Sequence, residues 1–136
     1  MNTISINSIS EGDLLTVRDG FRRDTVAVTR VDGSNSIVTA RYLKNGYEEV
    51  FHIRELDPKV IDGQTLEGFG LRASRNPRQW TMDYGYGGIM RVTETETGWK
   101  AEFVDSENCA SVRTEHVHEL QHLARIIAGV NLTLNP

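Results

Sequence analysis

Cysteine and long apolar runs are scarce in this chain. Its single cysteine, Cys109, cannot form a disulfide within the molecule, so we expect a protein of the reducing cytoplasm. The apolar runs are short, as at Ile126-Ile127-Ala128, and none approaches the ~20 residues of a membrane-spanning helix. The first five residues lack the basic and apolar regions of a signal peptide. These absences predict a cytoplasmic protein with no membrane partner.

A surplus of basic residues is also missing. Fifteen Lys and Arg residues stand against nineteen Asp and Glu, which gives a net charge of −4 and a pI near 5.5. Proteins that bind nucleic acid non-specifically usually carry excess positive charge, because neutralising phosphates supplies most of their affinity. The composition therefore disfavours nucleic acid as a partner and leaves only a local basic patch to consider.

The length and the apolar content are sufficient for a folded core. The chain has 136 residues, of which 38% are hydrophobic and 25% charged, so global disorder is excluded. This length corresponds to one domain, or to two very small ones sharing a core.

The N-terminal half alternates short β-rich runs with turn dipeptides such as Asp19-Gly20, Asp32-Gly33 and Asn45-Gly46. Strands joined by such short turns are typical of a small antiparallel barrel. The Gly12-Asp13 pair that precedes Leu14 is similar to the opening of an SH3-like barrel. We therefore predict an SH3-like barrel over residues 1–60, with strands at 4–9, 14–17, 25–31, 37–43 and 47–53.

The C-terminal half, residues 61–136, changes character. Residues 62–70 predict a short helix that ends at glycine, and residues 114–128 predict a longer helix with Thr114 as N-cap and Gly129 as its stop. Between the helices we predict a three-stranded antiparallel sheet, and a tail that adds an edge strand. The fold class is thus α+β and mostly β, with this sheet packed on one C-terminal helix. The predicted strands are 80–84, 89–95, 99–104 and, in the tail, 130–134.

The C-terminal helix contains a literal H-E-x-x-H pattern at His118-Glu119-Leu120-Gln121-His122. Two histidines four residues apart on a helix can bind one Zn²⁺, and the intervening Glu can act as a general base on a metal-bound water. The pattern therefore raises the alternative of a zinc-dependent hydrolase that uses His118, Glu119 and His122.

Other features of the helix disfavour a metal site. A catalytic zinc needs a third protein ligand, and no His, Cys, Asp or Glu follows His122. At about 100° per residue, both motif histidines fall on a polar stripe beside Arg125, opposite the apolar arc that contains Leu120 and Ile127. We therefore predict that His118 and His122 face solvent, and that the protein has no catalytic residues, no metal and no cofactor.

Recognition-type residues are densest between positions 72 and 88. Arginine and aromatic side chains dominate binding energies at interfaces, and glycines allow a ligand to approach the backbone closely. No acidic residue lies between Gly68 and Met82, so Arg72 and Arg75 are available to a phosphate or carboxylate. The predicted ligand-binding residues are Arg72, Arg75, Trp80, Tyr84 and Tyr86. A nucleic-acid-binding module through the Arg72–Tyr86 segment is a further alternative.

The C-terminal helix resembles that of a group of small proteins from gut-bacterial genomes, their phages and mobile elements. In that group the helix reads V-H-x-L-Q-N-L, which is similar to the run from Val117 to Leu123 here. The barrel-like start and the Leu56-Asp57-Pro58 junction resemble the group too. The group has Asn at the position of His122, which implies that this histidine is not a required ligand. The group has no established activity.

These features together predict a non-enzymatic binding protein of phage or mobile-element type. The predicted partner is another protein or a small anionic ligand. Because small barrels with exposed edge strands often associate, we also expect a homo-oligomer.

Overall fold

A computed structural model of the chain describes residues 4–18, 23–85 and 87–134. These residues form two five-stranded antiparallel sheets and a C-terminal helix, so the fold is α+β and mostly β, as predicted. The chain divides into two units, Met1–Lys59 and Val60–Pro136. Within the described ranges, no helix has both the length and the apolar character needed to span a membrane.

The first unit contains one sheet whose strands closely match the predicted runs. It comprises β1 (Leu14–Val17), β2 (Thr25–Asp32), β3 (Ile37–Tyr42), β4 (Glu48–His52) and β5 (Leu56–Pro58). The strand order is β4-β3-β2-β1-β5, and every pairing is antiparallel. A single 3₁₀ turn, Ile53–Glu55, joins β4 to β5. The predicted turn at Asp19-Gly20 lies outside the described residues.

One predicted strand of this unit is wrong. Residues 4–9 alternate apolar and polar side chains, but Ile6–Ser8 form a 3₁₀ turn. The Ser5 side chain accepts a hydrogen bond from the Asn7 backbone N–H at 3.4 Å and Ser8 N–H donates to the Ser5 carbonyl at 3.0 Å. Serine competes in this way for backbone groups that a strand would use, so the alternation did not produce a strand.

The core of the first unit follows the two-residue period of its strands. Side chains that alternate along β2 and β3 are buried, and the intervening ones are half-buried or exposed. The buried cluster comprises Ile9, Leu15, Val26, Val28, Val38, Ala40, Phe51 and Leu56. Directly after the end of β1, the Arg18 guanidinium donates to the Asp57 carboxylate at 2.6 Å. This ion pair links β1 to β5.

The second unit contains a sheet in which every strand pairs with its neighbours in sequence. Its elements are α1 (Gly63–Gly68), β6 (Arg72–Ala73), β7 (Gln79–Gly85), β8 (Gly88–Thr95), β9 (Gly98–Val104), β10 (Cys109–Thr114) and α2 (Val117–Leu123). The order is β10-β9-β8-β7-β6. The three predicted strands are present, but the prediction omitted β6 and β10, and no strand forms over 130–134.

The short helix α1 begins and ends as its sequence predicts. The Asp62 side chain accepts a hydrogen bond from the Thr65 backbone N–H at 2.7 Å, which satisfies a donor at the start of the helix. Gly70, with φ of 101°, follows the helix in the left-handed region that favours glycine. The helix buries Leu66 completely, so α1 contributes to the core of the second unit.

The predicted orientation of the C-terminal helix is wrong. Thr114 is the last residue of β10 rather than the N-cap, which is His116, and the α-helix passes into a π-helical turn over Ala124–Ala128. The buried face is centred on Val117, Gln121 and Ala124, at the i, i+4 and i+7 spacing of one helix stripe.

The π turn explains part of this difference. A π-helix has more residues per turn than the α-helix assumed in the sequence-based wheel, so residues beyond Leu123 rotate away from their expected positions. Ile126 is 70% exposed and Ile127 is 40% exposed, although both were predicted to be buried. His118, which precedes the π turn and was predicted to face solvent, is only 7% exposed, so the orientation of the α-helical part also differs from the prediction.

Leu120 and Ile127 differ in exposure, although the predicted orientation of the helix would bury both. Leu120 is 0% exposed, so we expect Leu120→Ala to lower the free energy of unfolding by about 2–5 kcal/mol. Because Ile127 is 40% exposed, Ile127→Ala should cost less than about 1 kcal/mol. Urea denaturation of both variants measures the difference. Equal losses of unfolding free energy in the two variants would contradict the orientation of the helix described above.

Candidate functional site

The histidines of the H-E-x-x-H pattern occupy different environments. His118 is buried and its Nδ1 atom has no hydrogen-bond partner among the described residues, whereas His122 is exposed. The Oε1 atom of Glu119 lies 2.9 Å from Nδ1 of His116, a residue outside the pattern. The His116 and His118 rings stack with centroids 6.1 Å apart. The motif residues therefore interact with a neighbouring histidine rather than forming a shared ligand set.

A third metal ligand is not provided by the rest of the described chain. Across residues 4–18, 23–85 and 87–134, no group of three His, Cys, Asp or Glu side chains is positioned to hold a metal ion. A catalytic zinc site needs three protein ligands and an open position. The hydrolase alternative thus gains no supporting observation from the geometry around His118 and His122.

The predicted recognition residues do not share one face of the second sheet. Arg72 in β6 lies opposite Thr81, whereas Trp80 in β7 lies opposite Ala73. Because adjacent residues of a strand project to opposite sides, Arg72 and Trp80 point away from each other. Arg75 is in the turn between β6 and β7. Tyr86 lies outside the described residues.

The inward-facing members of this set pack within the second unit. The Trp80 ring lies 5.7 Å from the Trp99 ring, measured between centroids, and a Cβ atom added at Gly63 would collide with it. The Tyr84 ring lies directly against Gly88. The packing of Trp80 supports the sheet, whereas Tyr84 and Arg72 retain surfaces that a ligand can reach.

The outward face of the second sheet carries basic residues from four different strands. Directly opposed residues in an antiparallel ladder project to the same side, and the register places Thr81 beside Arg91, Arg91 beside Glu102, and Lys100 beside Arg113. Arg72 joins the same side through its pairing with Thr81. We refer to Arg72, Arg91, Lys100 and Arg113 as the cationic sheet face.

The charges on this face are only partly compensated. Glu102 lies 4.0 Å from Arg91 and 3.9 Å from Lys100, which are long ion-pair distances. Asp83 projects to the same side two residues beyond Thr81, but no carboxylate of the described chain forms an ion pair with Arg72 or Arg113. Lys100 and Arg113 stand directly opposite each other, an arrangement that weakens a sheet. Stability of the unit therefore does not account for this clustering.

The clustering also separates charge within the second unit. Residues 60–136 contain seven basic and ten acidic residues. Four of the seven form the cationic sheet face, and Arg75 and Arg78 lie in the turn that joins β6 to β7, which leaves only Arg125 elsewhere. An acidic unit thus concentrates nearly all of its positive charge on one sheet and its connecting turn.

Sequence reasoning identified Arg72 but missed Arg91, Lys100 and Arg113. The alternation of β8 and β9 placed Arg91 and Lys100 on the outward side of each strand, and this signal was available from the sequence. Arg113 was hidden because β10 was not predicted. The alignment of Lys100 with Arg113 depends on register, which strand periodicity alone does not specify.

Comparison of the chain with protein-family models, with curated proteins and with solved structures yields no match in any of the three.

Burial of His118 predicts a dependence of stability on pH. Loss of solvation lowers the pKa of His118, Glu119 opposes this effect, and His116 and His122 reinforce it. As pH falls below about 6.5, the unfolded chain binds a proton at this position before the folded chain does. We therefore expect the free energy of unfolding to be highest above this pH and to decrease as pH falls from there through the lowered pKa.

Denaturant unfolding of the wild type and of His118→Gln between pH 5 and pH 7.5 tests this. In His118→Gln, the free energy of unfolding should differ much less between pH 5 and pH 7.5 than it does in the wild type. His122→Gln changes an exposed position and should keep the wild-type difference. A pH profile of His118→Gln that parallels the wild type would show that another group is responsible.

Proposed function

We propose that this chain is a non-enzymatic binding protein of phage or mobile-element type, and that its cationic sheet face binds an acidic segment of a protein partner. The observation that carries the proposal is the convergence of Arg72, Arg91, Lys100 and Arg113 on one side of a sheet in an acidic chain. Such local complementarity steers an oppositely charged partner toward the surface and fixes its orientation.

The geometry of the face favours an extended partner over a small ligand. Neighbouring strands lie about 4.8 Å apart, so the distance from β6 to β10 across five strands is roughly 19 Å. The basic residues are distributed over that width and are separated by small polar side chains such as Thr81, Thr93 and Ser111 and, at Glu102, by one carboxylate. A flat surface of this kind offers many weak contacts to an acidic peptide and no enclosure for a small anion.

The side chains of the face favour protein over nucleic acid. Surfaces that bind single-stranded nucleic acid usually present aromatic rings on which bases stack. The outward-facing positions of the second sheet contain no aromatic residue in the described chain, because Trp80, Trp99 and Phe103 occupy inward positions. The net charge of −4 also opposes non-specific attraction to phosphates.

The first unit supports the same class of function. We interpret it as an SH3-like barrel because its strand order is β4-β3-β2-β1-β5 and a 3₁₀ turn precedes the last strand. Its outer strand β4 contains Val50, which is 63% exposed, and follows Tyr47, which is 72% exposed. Exposed apolar side chains beside an edge strand are common where a protein adds a second chain.

A labelled acidic peptide tests the proposed face. Fluorescence anisotropy with a fluorescein-tagged peptide of alternating Asp and Glu should show binding that weakens as salt increases. The triple variant Arg91→Gln/Lys100→Gln/Arg113→Gln should bind about tenfold more weakly or worse. The control Arg30→Gln/Arg41→Gln/Arg54→Gln removes the same charge from exposed positions of the first unit and should bind like the wild type.

Two results would overturn the proposal. Equal losses in the two triple variants would show that net charge, and not the cationic sheet face, governs binding. Tighter binding of a single-stranded or duplex oligonucleotide than of the acidic peptide, lost in the first triple variant, would favour the nucleic-acid alternative instead.

A further inference from the structure

A groove of about 520 Å³ lies at one end of the second sheet. It is bounded by Tyr84 and Gly85 at the end of β7, by the 105–108 turn between β9 and β10, and by Ala128–Val130 after the C-terminal helix. This volume is within the range of ordinary small-ligand sites. The groove contains none of the residues of the cationic sheet face, so its function can be considered separately.

The turn on one side of the groove is closed by three hydrogen bonds between Asp105 and its neighbours. The Asp105 carboxylate accepts hydrogen bonds from the backbone N–H groups of Glu107 at 2.8 Å and Asn108 at 2.7 Å. The Asp105 N–H donates to the Asn108 carbonyl at 2.9 Å. The two hydrogen bonds to its carboxylate lower the pKa of Asp105, so this group is negatively charged at neutral pH. The exposed side chain of Glu107 therefore projects from a hydrogen-bonded turn.

Tyr84 provides an uncharged aromatic wall. Its ring lies against Gly88, where a side chain of any size would displace it. Burial raises the pKa of Tyr84, and the negative charge of Asp105 raises it further, so the phenol remains protonated across the physiological range. The ring therefore lines the groove without adding a charge of its own.

The end of the helix adds further negative potential. Gly129 adopts a left-handed conformation, with φ of 68°, and ends the helical turn. The Gly129 and Val130 N–H groups both donate to the Ala124 carbonyl, so neither is directed to a ligand. The last carbonyl groups of a helix carry partial negative charge and favour a cation nearby.

All of these groups favour a positively charged ligand. Among the described residues that line the groove, two are carboxylates, Asp105 and Glu107, and none is basic. An aromatic face combined with carboxylates is the usual environment of an alkylammonium or guanidinium group. We propose that the groove binds an organic cation through Tyr84 and Glu107, either the side chain of a lysine or arginine or a free alkylamine.

Titration with butylammonium followed by NMR tests the site in the 136-residue chain. The backbone amide signals of Gly85, Ser106 and Gly129 should shift together and saturate in the millimolar range, because a small ligand makes few contacts. The neutral analogue 1-butanol and the anion butyrate should produce no saturable shift. Stronger binding of the peptide acetyl-Gly-Lys-Gly-amide than of butylammonium would assign the site to a protein side chain, and the reverse order to a free amine.

Matched variants make the proposal falsifiable. Glu107→Gln changes an exposed residue, so the chain stays folded, and it should weaken butylammonium binding about tenfold, a loss of about 1.4 kcal/mol. Glu67→Gln removes the same charge from an exposed position of α1 and should bind normally. Tyr84→Leu should also weaken binding. Unchanged affinity in Glu107→Gln, or equal shifts with 1-butanol, would overturn the proposal.

Discussion

The ladder between β8 and β9 is the constraint on which the second unit depends. Its opposed pairs run from Ile89 and Val104 to Thr95 and Gly98, with no bulge. A slip of one residue would exchange the two sides of a strand, placing Arg91 in the core and Met90 in solvent. Burial of Met90, Val92 and Phe103 therefore maintains the register, and the register in turn aligns the basic residues on the other side.

The same ladder separates two surfaces of opposite charge. Across the sheet, outward positions collect basic side chains from several strands, and at its end the 105–108 turn collects carboxylates beside Tyr84. Because β9 leads directly into that turn, the position of Asp105 relative to Tyr84 depends on the pairing that also positions Lys100 and Glu102. Substitutions that disturb this register should affect both surfaces together.

The C-terminal helix shows how a buried polar group alters the interpretation of a motif. Gln121 is 2% exposed and its Nε2 atom donates to the Leu132 carbonyl at 3.0 Å, so a polar side chain occupies the centre of the buried face. His118 is buried on the same side. A wheel drawn from hydrophobicity placed His118 among solvent-facing residues, because it carries no information about buried polar side chains such as Gln121 or about the tail segment that satisfies it. Buried polar groups are accommodated when they find such partners.

The sequence by itself determined the class of fold, most strand positions and the short helix α1. These features depend on local signals: alternation in β2, β8 and β9, turn chemistry at Asn45-Gly46, and the Asp62 cap. Arg72 and Tyr84 could also be identified locally. Only the tertiary structure decided that Lys100 faces Arg113, that His118 is buried, and that Tyr84 meets the 105–108 turn. Those relations join residues distant in sequence or depend on which face of the helix turns toward the core, and neither periodicity nor propensity specifies register or helix phase.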